Sequence, residues 1–140
     1  MFNSFYLSYL NTFKHKLRMK TIGNIIWLIC GGFMIAIEYF ISGFLMLLTI
    51  IGIPFGLQAF KLGILAIWPF GSHVESKDSA PGCLNLVMNI IWIIIGGFWI
   101  ALTHLFWGVL LCITIIGIPF GKQHFKLIHL ALVPFGKEIR

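Results

Sequence analysis

The chain is 140 residues long, 59% hydrophobic and only 10% charged, with a mean hydropathy of +0.99. Soluble domains carry roughly a quarter charged residues, and so small a chain lacks the interior to hide this much apolar surface from water, so a water-soluble globule is excluded. Net charge is +6, but Lys14, Lys16, Arg18, Lys20, Lys122, Lys126, Lys137 and Arg140 flank apolar segments, where positive-inside anchoring and anionic headgroups place cations; lipid is the expected partner and nucleic acid is not.

Residues 1–20 form an amphipathic, basic arm. Phe2, Phe5, Tyr6, Tyr9 and Phe13 recur at helical spacing, which suits a helix lying in the membrane interface. The basic run Lys14–Lys20 comes after the aromatics, the reverse of a signal peptide, and predicts a cytoplasmic N-terminus.

Residues 21–71 form a first membrane unit. From Ile22 to Phe60 the one formal charge is Glu38, and about 20 apolar residues suffice for a helix to cross the hydrocarbon core. A long helix is predicted over about Ile22–Ile51, near 45 Å at 1.5 Å per residue, hence tilted or projecting from the bilayer. Gly52-Ile-Pro54-Phe-Gly56 is predicted to break it. A short helix over about Leu57–Trp68, too short to span, follows as an interfacial or re-entrant piece. The connector 72–85, with its turn-rich stretch 72–82, reads as a solvent loop.

Residues 86–136 repeat the first unit at an offset of 65. Asn24-Ile-Ile-Trp27 returns as Asn89-Ile-Ile-Trp92, Gly31-Gly-Phe33 as Gly96-Gly-Phe98, Phe60-Lys-Leu62 as Phe125-Lys-Leu127 and Pro69-Phe-Gly71 as Pro134-Phe-Gly136. The eight residues Thr49–Gly56 return unchanged as Thr114–Gly121, so Gly117, Pro119 and Gly121 mark a second predicted break. A long helix over about Val87–Ile116 and a short one over about Lys122–Val133 follow, and 137–140 is a basic tail. The fold class is therefore an all-α membrane protein, a tandem repeat of long transmembrane helix, break and short helix.

These motifs, above all Ile51-Gly-Ile-Pro-Phe-Gly56 with Phe60-Lys-Leu62 and Ala66-Ile-Trp-Pro-Phe-Gly71 and their second copy, resemble the YccF family of small bacterial inner-membrane proteins. The resemblance covers the chain beyond residues 1–20. It implies a multi-pass protein of the bacterial inner (plasma) membrane with two copies of the domain, and it implies no activity.

Two topologies compete. One crossing per unit inverts the second relative to the first, with both basic ends cytoplasmic and the 72–82 loop outside; the acidic balance of Glu75 and Asp78 against Lys77 favours it. Two crossings per unit put every polar segment on the cytoplasmic side and require Pro54, Gln58 and Lys61 inside a span.

Glu38, Tyr39, Thr103 and His104 are the candidate intramembrane polar site, because an ionisable group at mid-membrane is costly and functional by default. The bland alternative is an interhelical hydrogen bond that only fixes assembly. The Gly/Pro breaks read as corners rather than gates. Lys61, Lys122 and Lys126 read as interfacial cations that snorkel rather than line an anion path. His15, His73, His124 and His129 read as surface residues, and Cys30, Cys83 and Cys112 as packing residues. No metal or cofactor is expected, and with four carboxylates and no nucleophile elbow or phosphate loop, no enzyme chemistry. The Gly-Gly pairs suggest close helix packing and a homo-oligomer. An oligomeric channel or transporter for a small ion or solute leads, with a non-transporting scaffold or accessory subunit as the alternative.

Overall fold

The computed structural model describes residues 2–76 and 82–140, with the backbone alone at residues 2, 3 and 5. The aromatic pattern at Phe2 and Phe5 and the connector 77–81 therefore lie outside what is described. Helix α1 (Phe2–Trp27) passes through a kink (Leu28–Gly32) into α2 (Phe33–Leu47). The arm at residues 1–20 thus carries its basic run on the same helix that enters the apolar unit, with no break at residue 20. Then come α3 (Ile53–Ile67), β1 (Val74–Ser76), α4 (Gly82–Trp92), a π-helical stretch (Ile93–Gly97), α5 (Phe98–Ile113), α6 (Ile118–Leu132) and β2 (Lys137–Ile139).

The predicted breaks are displaced. The chain reverses at Thr49 and Thr114, ahead of each proline. Thr49 Oγ1 donates to the Met46 carbonyl at 3.0 Å and accepts from Gly52 N at 3.1 Å, and Thr114 does the same with Leu111 and Gly117 at 2.8 and 3.2 Å. Pro54 and Pro119 sit in the first turn of α3 and α6, where a missing N–H leaves nothing unpaired. Gly56 and Gly121 are inside those helices. A Cβ on Gly56 would lie 2.7 Å from the Gly43 carbonyl oxygen, and one on Gly121 2.8 Å from that of Gly108, so these glycines permit close helix approach rather than a break.

That approach brings α3 back along α2, and α6 back along α5. Of the two placements open to the short helix, the structure has it packed against its own long helix. The far end of each hairpin is latched. Asn24 Nδ2 donates to the Phe70 carbonyl at 3.0 Å while Asn24 Oδ1 accepts from Phe70 N at 2.8 Å, and Trp27 Nε1 donates to the Ala66 carbonyl at 2.7 Å. Asn89 and Trp92 repeat this on Phe135 and Ala131 at 3.2, 3.0 and 2.8 Å. The repeated Asn-Ile-Ile-Trp and Pro-Phe-Gly motifs are the two sides of this latch.

The two hairpins pack about a pseudo-dyad. Phe55 meets Phe135 and Phe70 meets Phe120; Tyr39 meets Trp92 and Trp27 meets His104. Each pair maps onto the other under the 65-residue offset, the signature of an isologous two-fold contact. Gly31 abuts Trp107, Glu38 bonds Thr103 and Gly96 abuts Ser42. As one helix number rises the other falls, so the long helices pass antiparallel and the second unit is inverted.

Strands β1 and β2 form an antiparallel ribbon in which Val74 faces Ile139, Glu75 faces Glu138 and Ser76 faces Lys137. The ribbon crosses the α3/α6 face. Gln58 Nε2 donates to the Lys137 carbonyl at 2.8 Å, Val74 and Ser76 share a cleft with Lys126, His129 and Leu130, and Ile139 packs on the core. The expectation that the 72–82 loop and the C-terminal tail lie on opposite sides of the membrane is therefore corrected: residues 74–76 and 137–139 are hydrogen-bonded neighbours midway along the bundle.

Asn24→Ala should lower stability in detergent by about 2–3 kcal/mol, because it removes two hydrogen bonds and leaves a Phe70 backbone donor and acceptor unpaired. Asn89→Ala should cost the same within error, and equilibrium unfolding of both variants checks it.

Candidate functional site: a polar core on the pseudo-dyad

Glu38 and Thr103 occupy equivalent positions, 65 residues apart, and meet where α2 and α5 cross. Thr103 Oγ1 donates to Glu38 Oε1 at 2.7 Å. Glu38 Oε2 is buried and makes no hydrogen bond among the described residues. Thr103 also lines an open cleft of about 370 Å³ with Met34, Leu102, Phe106 and Trp107, so the polar pair lies beside an otherwise apolar surface.

Tyr39 and His104 are likewise equivalent, and both are buried. Each packs on the tryptophan of the opposite latch. Tyr39 stacks on Trp92 with centroids 6.0 Å apart at 15°, and His104 lies 6.4 Å from Trp27 at 36°. Of the four expected site residues, Glu38 and Thr103 are thus paired directly, while Tyr39 and His104 each pack on a tryptophan of the opposite unit.

His104 instead pairs with a residue read as superficial. His124 is 0% exposed, which corrects its placement at the interface: Gly121, His124, Leu127 and Ala131 form the buried face of α6, whereas Lys122, Lys126 and His129 are on its exposed face. His104 Nδ1 and His124 Nδ1 are 2.9 Å apart, and His124 Nε2 lies 3.0 Å from the Cys30 carbonyl. A carbonyl only accepts, so His124 Nε2 carries a proton. In the neutral pair His124 Nδ1 is then the acceptor and His104 Nδ1 the donor. Trp27 stacks on the His124 ring with centroids 4.1 Å apart.

The Cys30 carbonyl is available because the helix opens there. Cys30 (φ −83°, ψ 33°) and Gly31 (φ 104°, ψ −14°) leave helical geometry, and glycine tolerates the left-handed conformation that other residues resist. A Cβ on Gly31 would also lie 2.6 Å from the Trp107 ring. The Gly-Gly motif signalled close packing, but not that an acceptor would be exposed. One further signal was available in the sequence: His124 stands where the first copy has Ala59.

Two clefts flank the ribbon. One of about 430 Å³ is lined by Gln58, Lys61, Asn85 and Lys137, and one of about 290 Å³ by His73, Glu75, Gln123 and Lys126. Lys61, Lys122 and Lys126 are exposed. Among the described residues no group of three or more His, Cys, Asp or Glu side chains could hold a metal ion.

Comparison with known proteins supplies the family. Two segments, residues 22–72 and 87–137, match the YccF model, described as an inner membrane component domain. The chain belongs to the YccF family. The inner membrane proteins YccF of Escherichia coli (strain K12) and of Shigella flexneri are each 31% identical to it over 129 residues, covering 86% of this chain and 87% of the relative. No solved structure matches. The YccF match assigns the apolar surface its solvent, the bacterial inner membrane, and two helical segments, Tyr6–Leu47 and Gly82–Ile113, are long and apolar enough to cross it. It also explains the exposure of Ile50, Ile115 and Ile116 at the hairpin tips, at 89%, 86% and 88%, which would be unfavourable in water but suits hydrocarbon.

The Glu38–Thr103 bond should show a coupling of about 1–2 kcal/mol in a double-mutant cycle of Glu38→Ala and Thr103→Ala. Additivity of the two substitutions in unfolding measurements would show that the pair contributes no stability.

Proposed function

We propose that the protein is one subunit of an oligomeric inner-membrane channel or carrier for a small ion or solute. One observation carries this reading: a charged ribbon lies halfway along an apolar bundle. Arg140 pairs with Glu75 at 3.4 Å and with Glu138 at 3.6 Å, and Lys61, Lys126 and His73 surround the ribbon. With the long helices standing across the bilayer, the ribbon falls at mid-depth. Charges are costly there, and the open edges of a sheet do not face lipid. Copies of the chain arranged with their ribbon faces inward would give these groups water and leave the apolar α2/α5 face to lipid. Glu38 and Thr103 supply a further polar pair at the same depth, and Tyr39 and His104 are buried within the chain.

The basic run on α1 fits a cytoplasmic N-terminus held at anionic headgroups. A non-transporting scaffold is favoured by the filled interior, in which Trp27, Trp92, Ile35 and Ile100 are fully buried. Neither reading assigns the chain a catalytic role.

Purified protein in liposomes should pass small ions, and Glu38→Gln should change that flux at least several-fold without altering assembly. Absence of flux from a correctly assembled oligomer favours the scaffold. Cysteines placed at Val74 and Ser76, with Cys30, Cys83 and Cys112 replaced by alanine, should react with a membrane-impermeant thiol reagent much faster than one placed at the exposed, apolar Ile94. Equal protection at all three positions argues against a wet ribbon.

A further inference from the structure

Buried histidines are usually tied to one fixed partner, whereas His104 and His124 are tied chiefly to each other. Around them the structure supplies two features that suit a positive charge. The first is the Cys30 carbonyl, freed by the opening of the helix at Gly31 and held by His124 Nε2 at 3.0 Å. The second is the Trp27 indole, stacked on His124 at 4.1 Å; an aromatic face attracts a cation. Trp27 cannot swing away, because its Nε1 donates to the Ala66 carbonyl at 2.7 Å.

We propose that His104 and His124 form a proton-binding site in which one proton enters at His104 Nε2 and the charge is held on His124. In the resting pair His104 Nδ1–H donates to His124 Nδ1 and His124 Nε2–H donates to Cys30. A proton arriving at His104 Nε2 lets the Nδ1 proton cross the 2.9 Å bond to His124. One N–H bond breaks at His104 Nδ1 and one forms at His124 Nδ1. His104 ends as the neutral Nε2–H tautomer accepting at Nδ1, and His124 ends as the imidazolium, donating to both His104 and Cys30. The ligand is a single proton, since a second would set two facing N–H groups against each other.

The surrounding elements leave this charge without a competing partner. On α2, Glu38 is engaged by Thr103 and Tyr39 packs on Trp92. On α5, Cys112 sits against Gly121, and on α6 Lys122, Lys126 and His129 are on the exposed face. Cys30 offers its carbonyl. The first unit lacks the device: its equivalents are Tyr39 and Ala59, both buried. The inference does not depend on conduction, because proton uptake is measurable in protein that passes nothing.

The test is nitrogen-15 histidine NMR of the full chain in lipid nanodiscs across a pH series, with the Trp27 indole N–H as a marker of intact structure. The expected result is one proton taken up jointly by two coupled rings, distinct from the independent steps of His15, His73 and His129. His104→Tyr and His124→Ala install the residues that the first unit already accommodates, and each should abolish that shared step while the Trp27 signal stays in place. The proposal is overturned if both rings remain neutral wherever the Trp27–Ala66 bond persists, if they take up two protons independently, or if either variant keeps the shared step.

Discussion

Everything in this architecture depends on turning a short helix back inside an apolar medium, where an unpaired backbone group cannot be rescued by water. The last carbonyls of any helix lack partners. Here the Ala66 and Ala131 carbonyls receive a tryptophan N–H, and the Phe70 and Phe135 backbones receive both ends of an asparagine amide. An amide side chain is the residue for this task because it donates and accepts in one plane. The latch fixes where α3 and α6 end, which in turn sets the ribbon against their flanks and aligns the two hairpins across the pseudo-dyad.

Duplication explains why most of the structure comes in pairs and why the exceptions are informative. Residues that build the hairpin are identical in both copies: Asn24 and Asn89, Trp27 and Trp92, Thr49 and Thr114, Pro54 and Pro119. Several residues on the inner faces differ. Glu38 faces Thr103, Tyr39 is answered by His104, Ala59 by His124 and Ser42 by Trp107. Two identical carboxylates meeting at the dyad would repel one another in a low dielectric; a carboxylate and a hydroxyl form a hydrogen bond instead. Where equivalent side chains of the two copies meet, as Glu38 meets Thr103, their difference makes the contact complementary.

The helices, the repeat and the membrane setting were legible because each rests on a signal tens of residues long. What was not legible rests on contacts between distant segments. Proline marked a break, yet whether a chain turns before or after it depends on which residue can satisfy the freed carbonyls, and here threonine does so three residues upstream of Gly52 and Gly117. The ribbon joins two three-residue strands that are too short to alternate visibly. Charge counting set the loop apart from the tail, but backbone pairing joins Val74–Ser76 to Lys137–Ile139, with Arg140 beside Glu75. His124 lies two residues from both Lys122 and Lys126, and on a helix of this period residues two apart take opposite faces. Even so, Glu38 and Thr103, which meet at identical repeat positions, were both among the four residues read as a candidate intramembrane polar site.

The opening of the helix at Cys30 and the burial of His124 are best understood together. Leaving helical geometry forfeits a backbone hydrogen bond and strands an acceptor, a loss that a membrane helix does not accept without a replacement donor. In the first unit the replacement is His124 Nε2, reaching across from the second. In the second unit the equivalent donor would have to come from Ala59, which has none. There the π-helical stretch stays regular, and Gly96 is not among the glycines with positive φ, whereas Gly31 is. The same Gly-Gly sequence therefore adopts two backbone conformations according to whether a donor faces it. Glycine permits the opening, and the histidine of the opposite repeat supplies the donor that the opened carbonyl needs.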